Sequence, residues 1–249
     1  MGVYDIIYKK KNQVAVLLDP EKIEDPDKLK EFSKLLKGSF IDFIFIGGST
    51  VTKEQFQNTV SALKKYSDLP LVIFPGSGQQ LSAECDALLY LSLVSGRNPE
   101  YLIGQHIQSA FEVEALNIEV IPTAYILIDG GSQSSVAYVS QTTPIPAKQT
   151  QILRQTALAS KFQGKKLIYM DAGSGAKNSI DPKMIEEIND LELPIIIGGG
   201  IRSINQISLA HMAGANVVVI GNKLEDQPEF LEEIKKYKHN LRAQSFLNN

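Results

Sequence analysis

An apolar run ends in a carboxylate and a glycine-rich turn in the segment Leu167-Ile168-Tyr169-Met170-Asp171-Ala172-Gly173-Ser174-Gly175-Ala176-Lys177. This order predicts a buried strand that carries Asp171 to the beginning of an open loop. The carboxylate can act as a base or bind a metal, and the glycines leave backbone N–H groups accessible to an anion. A polar turn that merely connects a strand to a helix has the same composition, so the rest of the chain must decide between the two interpretations.

Apolar runs and helical segments alternate along the whole chain of 249 residues. Continuous apolar runs are typical of parallel strands buried on both faces, and helix-start signals such as Asp25-Pro26 and Asp181-Pro182 lie between them. The predicted strands cover residues 14–18, 41–46, 71–74, 86–93, 119–128, 166–170, 195–197 and 217–220. Eight strands without a linker-like break predict one (β/α)8 TIM barrel domain over residues 1–249. An open doubly wound sheet is the alternative, but no Gly-x-Gly-x-x-Gly turn follows the first strand.

Two connections depart from the regular alternation. Residues 75–86 join the third strand to the fourth, and glycine is frequent in the first part of this segment. A parallel crossover needs about a dozen residues, so we expect the third helix to be stunted or replaced by a loop, which leaves a gap in the ring of helices. Residues 130–147 are rich in Ser, Gln, Thr and Pro. A long segment of this kind is expected to be either a lid over the strand ends or a mobile surface loop.

The composition excludes several classes of function. The net charge of −3 provides no basic excess for neutralising phosphates, so no nucleic-acid partner is expected. Cys85 is the single cysteine, which excludes an intrachain disulfide and a cysteine-based zinc site. The apolar run 14–18 is far too short for a signal peptide or a membrane span, so we expect a cytoplasmic protein, for which peripheral membrane contact stays open.

The turns after the last two predicted strands are the strongest functional signal. In a barrel, active sites form at the C-terminal ends of the strands. Gly198-Gly199-Gly200 and Gly221-Asn222 occupy the position where barrels commonly bind phosphate through backbone N–H groups. Tight turns that need glycine for a positive φ would also explain these residues, but their position in the fold favours phosphate. A flavin phosphate and a sugar phosphate both fit the pattern.

Oxygen-bearing side chains follow the first two predicted strands. Asp19 ends the first strand and Ser49 follows the second, and the two strands are expected to be neighbours. One carboxylate and one hydroxyl, completed by waters and substrate phosphates, are a reasonable Mg²⁺ site, although Asp-Pro can also be a simple cap or turn. The three histidines, His106, His211 and His239, fall in predicted helices, so neither a histidine-based zinc site nor a Ser-His-Asp triad is expected.

Taken together, these stretches resemble the geranylgeranylglyceryl phosphate synthase family, which includes the related heptaprenylglyceryl phosphate synthases. They run in order along nearly the whole chain, with one at most strand ends, and their combination is specific where each alone is not. The longer form Tyr-x-x-Ala-Gly-Ser-Gly-Ala looks like the second of the family's two sequence groups. The matching stretches are 17–22 (LLDPEK), 47–50 (GGST), 74–77 (FPGS), 95–99 (SGRNP), 169–176 (YMDAGSGA), 198–202 (GGGIR) and 221–222 (GN).

The resemblance implies a (β/α)8 barrel that joins the 3-hydroxyl of sn-glycerol 1-phosphate to a polyprenyl diphosphate, most simply geranylgeranyl diphosphate, as an ether. It implies that Asp19 and Ser49 hold Mg²⁺ near the diphosphate, and that Asp171 and Tyr169 are catalytic. Because family members are often dimers or larger assemblies, a homo-oligomer, either a dimer or a hexamer, is expected. The residues implied to bind glycerol phosphate are Tyr169, Met170, Asp171, Ala172, Gly173, Ser174, Gly175, Gly199, Gly200, Gly221 and Asn222.

Two departures from the family pattern affect the mechanism. Many members have Glu where this chain has Asp171, so the shorter side chain needs a shift of substrate or backbone, or a water, to reach the proton. The first sequence group has a lysine where this chain has Leu17, and Arg97 and Arg202 are the candidates for its role. The gap near residues 76–81 is a hypothetical exit for the polyprenyl tail.

Two other functions remain open at this level. A sugar-phosphate isomerase or aldolase-like barrel would use the same phosphate turns with Asp171 as a proton shuttle, and it predicts neither a Mg²⁺ requirement nor an apolar groove. A non-catalytic sensor of phosphate ligands predicts binding without turnover, and it would need neither Asp19 nor Asp171.

Overall fold

The computed structural model describes residues 1–23 and 25–247, which contain eight parallel strands closed into a barrel. The strand β1 pairs with β2 on one side and with β8 on the other, which confirms the predicted (β/α)8 fold. Each strand begins and ends within two residues of its predicted position. The assignment of residues 1–249 to one domain stays a prediction. The strands are β1 (Gln13–Leu18), β2 (Phe43–Ile46), β3 (Leu71–Ile73), β4 (Ala87–Leu93), β5 (Glu119–Leu127), β6 (Leu167–Asp171), β7 (Ile195–Gly198) and β8 (Val217–Ile220).

Side chains along each strand alternate between the barrel interior and the layer beneath the helices. On β2, Phe43 and Phe45 belong to the inner apolar cluster, whereas Ile44 and Ile46 belong to the outer one. Both sets are fully buried, which explains why the strands are continuous apolar runs rather than alternating ones. On β6 the same alternation points Tyr169 inward and Met170 outward.

Helices surround the barrel, and several begin at the predicted caps. Thr52 and Gln55 form a reciprocal capping box, and the carboxylates of Asp25 and Asp181 accept hydrogen bonds at the starts of their helices. No helix among the described residues has the length and apolar character needed to cross a membrane. The helices are α1 (Val3–Lys9), α2 (Pro26–Leu36), α3 (Lys53–Tyr66), α4 (Gln105–Leu116), α5 (Ser135–Ser140), α6 (Thr150–Phe162), α7 (Pro182–Glu186), α8 (Ile204–Met212), α9 (Asn222–Asp226) and α10 (Phe230–Leu247).

The N-terminal end of the barrel is closed by α1. The side chains of Val3 and Ile7 join the inner cluster, and the carboxylate of Glu119 accepts hydrogen bonds from the first backbone N–H groups of the helix. The amides of Gln13 and Asn216 both donate to the carbonyl of Ile7. This end of the barrel is therefore covered, whereas a cavity opens at the opposite end, where the strands finish.

The two irregular connections take different forms. Residues 74–86 contain turns and no helix, and the structure describes every one of them, so the predicted gap in the helix ring is confirmed. Within residues 130–147 lies the short helix α5, and Ile145 exchanges backbone hydrogen bonds with the end of β5. The segment is thus anchored beside the C-terminal ends of the strands, while its role as a lid stays a prediction.

A buried ion pair ties α10 to the start of β2. The Lys238 ammonium lies 2.6 Å from Asp42 Oδ2 and donates to the carbonyl of Asn12 at 2.8 Å. The same carboxylate oxygen accepts from the backbone N–H of Val14 at 2.9 Å. Only 7% of Lys238 and 19% of the Asp42 side chain are exposed, so water replaces a lost partner only in part.

We predict that Lys238→Met lowers the free energy of unfolding by about 3 kcal/mol, because it leaves a mostly buried carboxylate without its cation. The exposed pair of Lys235 with Glu232 provides the control, and Lys235→Met should cost less than about 1 kcal/mol. Urea unfolding of both variants measures the two values. Equal losses would show that the buried pair makes no special contribution.

Candidate active site

A cavity of about 300 Å³ opens at the C-terminal ends of the strands. Its wall is formed by the ends of β1, β2, β6, β7 and β8 and the turns that follow them, together with the segment after β3 and residues from β4, β5 and α5. Because parallel strands finish at the same edge, residues distant in sequence meet here. Among the predicted site residues, those that line the cavity are Asp19, Ser49, Tyr169, Asp171, Ser174, Gly175, Gly199, Gly200, Gly221 and Asn222.

Asp171 is the last residue of β6 and points into the barrel, since it follows Tyr169 by two positions. Its Oδ2 accepts a 2.6 Å hydrogen bond from Tyr125 Oη, and its Oδ1 accepts a 2.7 Å bond from the backbone N–H of Gly173. Burial raises the pKa of the Asp171 carboxyl above its ordinary value, and the bonds from Tyr125 and Gly173 act in the opposite direction. The carboxylate is therefore held rigidly while it retains lone pairs for a substrate hydroxyl.

Three aromatic rings form the cavity wall around this carboxylate. The rings of Phe74 and Tyr169 are stacked at 4.8 Å, and the Tyr125 ring packs edge-on against each at 5.6 Å. Burial raises the pKa of both tyrosines well above the ordinary value, so they stay protonated. Sequence reasoning missed Tyr125 and Phe74 as site residues. No signal in the sequence marks Tyr125, because its place beside Tyr169 depends on the register of β5 against β6.

The turns after β6, β7 and β8 converge on one side of the cavity. Gly199 and Gly200 have φ values of +82° and +70°. A Cβ on Gly199 would lie 2.7 Å from Asp171 Oδ1, so this turn approaches the carboxylate too closely for a side chain. The Ser174 hydroxyl donates to Asn222 Oδ1 at 3.1 Å and links the first turn to the third. Three turns with accessible backbone on one wall suit a phosphate group.

Three of the residues predicted to bind glycerol phosphate, Met170, Ala172 and Gly173, do not line the cavity. Met170 is fully buried in the outer apolar cluster, and Ala172 lies there too, because both alternate away from the barrel interior. The backbone N–H of Gly173 already donates to Asp171. These three residues shape the loop through their backbone, and the residues next to them line the cavity.

Asp19 and Ser49 both line the cavity, where β1 and β2 end. The Asp19 carboxylate accepts from the backbone N–H of Glu21 at 3.1 Å. Burial raises the pKa of Asp19, and the Glu21 N–H and the charge of Lys22 oppose that rise. A Cβ on Gly48 would lie 2.8 Å from Asp19 Oδ1, so the two loops are in close contact. Among the described residues, no group of three or more His, Cys, Asp and Glu is arranged to hold a metal, so a cation here would complete its shell with water and phosphate oxygens.

Of the two cationic side chains that the sequence suggested, one lines the cavity and the other does not. Arg202 lines the cavity, and its guanidinium donates to the carbonyl of Ala176 at 2.8 Å. Arg97 lies elsewhere, since it faces a separate groove beside α6 and donates to the carbonyl of Gly96 at 2.7 Å. Lys22 and Lys223 line the cavity instead. Their place could not be read from the sequence, because each follows a short turn whose direction depends on the neighbouring loop.

An apolar groove continues from the cavity through the gap in the helix ring. Leu81, Leu88 and Tyr90 line it together with residues of α4. His106 packs its ring 4.4 Å from that of Tyr90, and its Nε2 lies 2.8 Å from the carbonyl oxygen of Leu91. Burial lowers the pKa of His106, which favours a neutral ring and agrees with a structural role. The residues that groove and cavity share are Ser49, Pro75, Gly76, Leu91, Tyr125 and Val136.

A barrel with a carboxylate, three converging backbone turns and an adjoining apolar groove defines a class of enzyme that acts on a phosphate ester and an apolar second substrate. Comparison with known proteins makes the assignment specific. The chain belongs to the PcrB family, whose model matches residues 4–238. The resemblance seen in the sequence motifs is thereby confirmed.

Relatives and a solved structure agree with this assignment. The geranylgeranylglyceryl phosphate synthase of Chitinophaga pinensis is 43% identical over 226 residues, which are 90% of this chain and 89% of the relative. The protein of the same name from Korarchaeum cryptofilum is 32% identical, over 92% of this chain and 94% of the relative. The crystal structure of (S)-3-O-geranylgeranylglyceryl phosphate synthase from Thermoplasma acidophilum with the substrate sn-glycerol-1-phosphate has a TM-score of 0.87 and 30% identity, over 94% and 96% of the two chains.

The raised pKa of Asp171 predicts a pH-dependent cost in stability. A carboxyl whose pKa is higher in the folded than in the unfolded protein favours folding below the unfolded pKa, and that contribution is lost as the pH rises through the folded pKa. We therefore expect wild type to lose stability relative to Asp171→Asn as the pH is raised from about 4 to 8. Thermal unfolding across this range gives the difference at each pH.

Asp190→Asn is the control, because the pKa of Asp190 is shifted in the opposite direction and the opposite pH trend in stability is expected. The Arg154 guanidinium holds the pKa of Asp190 below its ordinary value, so that pair stabilises the protein above the unfolded pKa. Relative to this variant, wild type should gain stability as the pH rises. The same pH trend in both comparisons would contradict the electrostatic account of Asp171.

Proposed function

We propose that this protein is a prenyltransferase that forms an ether between the 3-hydroxyl of sn-glycerol 1-phosphate and a polyprenyl diphosphate. The allylic C–O bond to the diphosphate breaks, the hydroxyl oxygen bonds to the allylic carbon, and the hydroxyl proton passes to a base. Diphosphate leaves. The observation that carries the proposal is the position of Asp171, which shares a cavity with three converging glycine-rich turns and bonds to Tyr125 at the mouth of an apolar groove.

Glycerol phosphate would bind at the three converging turns. Backbone N–H groups near Ser174, Gly199 and Gly221 would surround its phosphate, with Arg202 and Lys223 as nearby cations. Tyr169 lines the same wall and stays protonated, so its hydroxyl can donate to a glycerol oxygen. Held in this way, the 3-hydroxyl is aimed at the shared mouth of the groove, and such positioning is a large part of catalysis.

Asp171 would accept the hydroxyl proton. Its burial raises its pKa toward that of a useful general base, and the bonds from Tyr125 and Gly173 fix its orientation. The close approach of the Gly199 turn brings the phosphate-binding backbone to the carboxylate. This approach supports direct proton transfer despite the short side chain of aspartate.

The diphosphate would lie at the Asp19 and Ser49 side, where a Mg²⁺ ion fits an oxygen donor set completed by water and phosphate oxygens. A bound Mg²⁺ would supply charge neutralisation for the departing diphosphate. Lys22 stands beside Asp19 and lines the cavity, so it is our candidate for the role of the lysine that Leu17 replaces. The rings of Phe74 and Tyr125 lie near the shared mouth and can face the positive charge of the allylic fragment.

The polyprenyl tail would leave the barrel through the groove that lies where a helix between β3 and β4 is missing. We propose that this tail is geranylgeranyl. An isomerase or aldolase predicts no such groove, and a sensor has no use for a buried base. We further propose that the protein forms a homo-oligomer, a dimer or a hexamer, and contacts a membrane peripherally through its lipid product.

The decisive test is a turnover assay with labelled sn-glycerol 1-phosphate and geranylgeranyl diphosphate, with and without Mg²⁺. We expect a Mg²⁺-dependent ether product from wild type. Asp171→Asn should reduce kcat by about 10²- to 10⁴-fold, because the proton loses its acceptor. Absence of any ether product from the wild-type protein would refute the function, and full activity of the variant would refute the role of Asp171.

The depth of the groove is expected to set the preferred length of the prenyl chain. Ser109 is a buried residue of α4 that lines the groove, and Ser109→Phe should block the path of a long tail. We expect kcat/KM to fall about tenfold or more for geranylgeranyl diphosphate, with a smaller loss for geranyl diphosphate. Gln108→Phe, at an exposed position of the same helix, is the control and should preserve both rates. An unchanged preference in Ser109→Phe would contradict this path.

A further inference from the structure

Gln80 is a fully buried glutamine in the segment between β3 and β4, which contains no helix. Its Oε1 accepts from the backbone N–H of Gly76 at 2.9 Å, and its Nε2 donates to the carbonyls of Gly48 at 2.8 Å and Val51 at 3.1 Å. Both amide protons and the amide oxygen are therefore occupied. The side chain joins the segment after β3 to the loop after β2, which carries Ser49.

The two segments also touch through their backbones. A Cβ on Gly76 would overlap the carbonyl oxygen of Gly48, and a Cβ on Gly47 would overlap that of Phe74. Gly48 in turn packs against the Asp19 carboxylate. A continuous line of contacts therefore runs from Gln80 to the proposed Mg²⁺ and diphosphate position.

We propose that Gln80 is a positioning residue, which fixes the loop 47–51 so that Ser49 and Asp19 face the diphosphate. The inference rests on the function proposed for that loop. Gln80 does not line the cavity or the groove, so it acts through Gly48 and Val51 rather than by touching substrate. The segment between β3 and β4 therefore does more than leave a gap for the groove. Through Gln80 it also holds the loop 47–51 at the proposed Mg²⁺ position.

Gln57 provides a matched comparison within the same structure. This glutamine of α3 donates its side-chain amide to the carbonyl of Leu81, one residue beyond Gln80. It holds the same segment from the opposite side and has no hydrogen bond to the loop 47–51 among those described. A purely structural contribution from holding the segment would therefore be shared by both glutamines, whereas positioning of the loop belongs to Gln80.

The test compares Gln80→Met, which keeps the shape and loses every hydrogen bond, with Gln57→Met. For Gln80→Met we expect the KM for geranylgeranyl diphosphate and the half-saturating Mg²⁺ concentration to rise about tenfold or more. The Kd for sn-glycerol 1-phosphate, measured by calorimetry without Mg²⁺, should stay within about twofold. Gln57→Met should leave all three values near those of wild type.

Equal shifts for both substrates, or equal behaviour of the two variants, would overturn the positioning role. Gln80→Glu keeps the acceptor for Gly76 and loses the donors to Gly48 and Val51, so it should reproduce the selective defect if Gln80→Met does not fold. Loss of ether product in wild type would instead overturn the proposed function itself.

Hydrogen exchange of the unsubstituted protein supplies an independent readout. Mg²⁺ with inorganic diphosphate should slow amide exchange in residues 47–51 and in residues 76–80 together, because Gln80 couples the two segments. Protection of 47–51 with no change in 76–80 would overturn the inference whether or not the variants fold.

Discussion

Close backbone contact at the C-terminal ends of the strands is the constraint on which this active site depends. The turn at Gly199 lies against Asp171 and Gly173, and the loop at Gly48 lies against Asp19 and Gly76. Side chains at these glycines would force the loops apart by more than the cavity can accommodate. The barrel supplies eight strand ends in one ring, but it is the absence of side chains between neighbouring loops that lets Asp171, the glycine-rich turns and Asp19 share a cavity of about 300 Å³.

Within that cavity, burial and hydrogen bonding shift the pKa of Asp171 in opposite directions. Removing Asp171 from water disfavours its charged form, while Tyr125 and the N–H of Gly173 stabilise it. The net effect is a raised pKa, and the two hydrogen bonds hold the carboxyl group in one orientation. Aromatic rings pack around it, and in the proposed reaction they would limit the access of water to the reacting carbon.

The incomplete ring of helices explains how one barrel serves two unlike substrates. Where a third helix would cover β4, the outward side chains Leu88 and Tyr90 line an apolar groove that meets the polar cavity at Tyr125. A loop in this position leaves backbone groups that need partners. Gln80 and Gln105 satisfy the N–H groups of Gly76 and Gly78, so the groove stays open while its wall stays ordered.

By itself the sequence determined the barrel, because runs such as Ile195–Gly198 are apolar on both faces and end in glycine. It also predicted Asp171 and the glycine turns as candidate site residues, since their signals lie within a few consecutive positions, and Asp171 and residues of all three turns line the cavity. The tertiary structure decided which residues meet them. Tyr125 bonds to a carboxylate 46 positions away, and Gln80 bonds to a carbonyl 32 positions away. Such contacts leave no local pattern, because they depend on the registers and loop directions of separate strands.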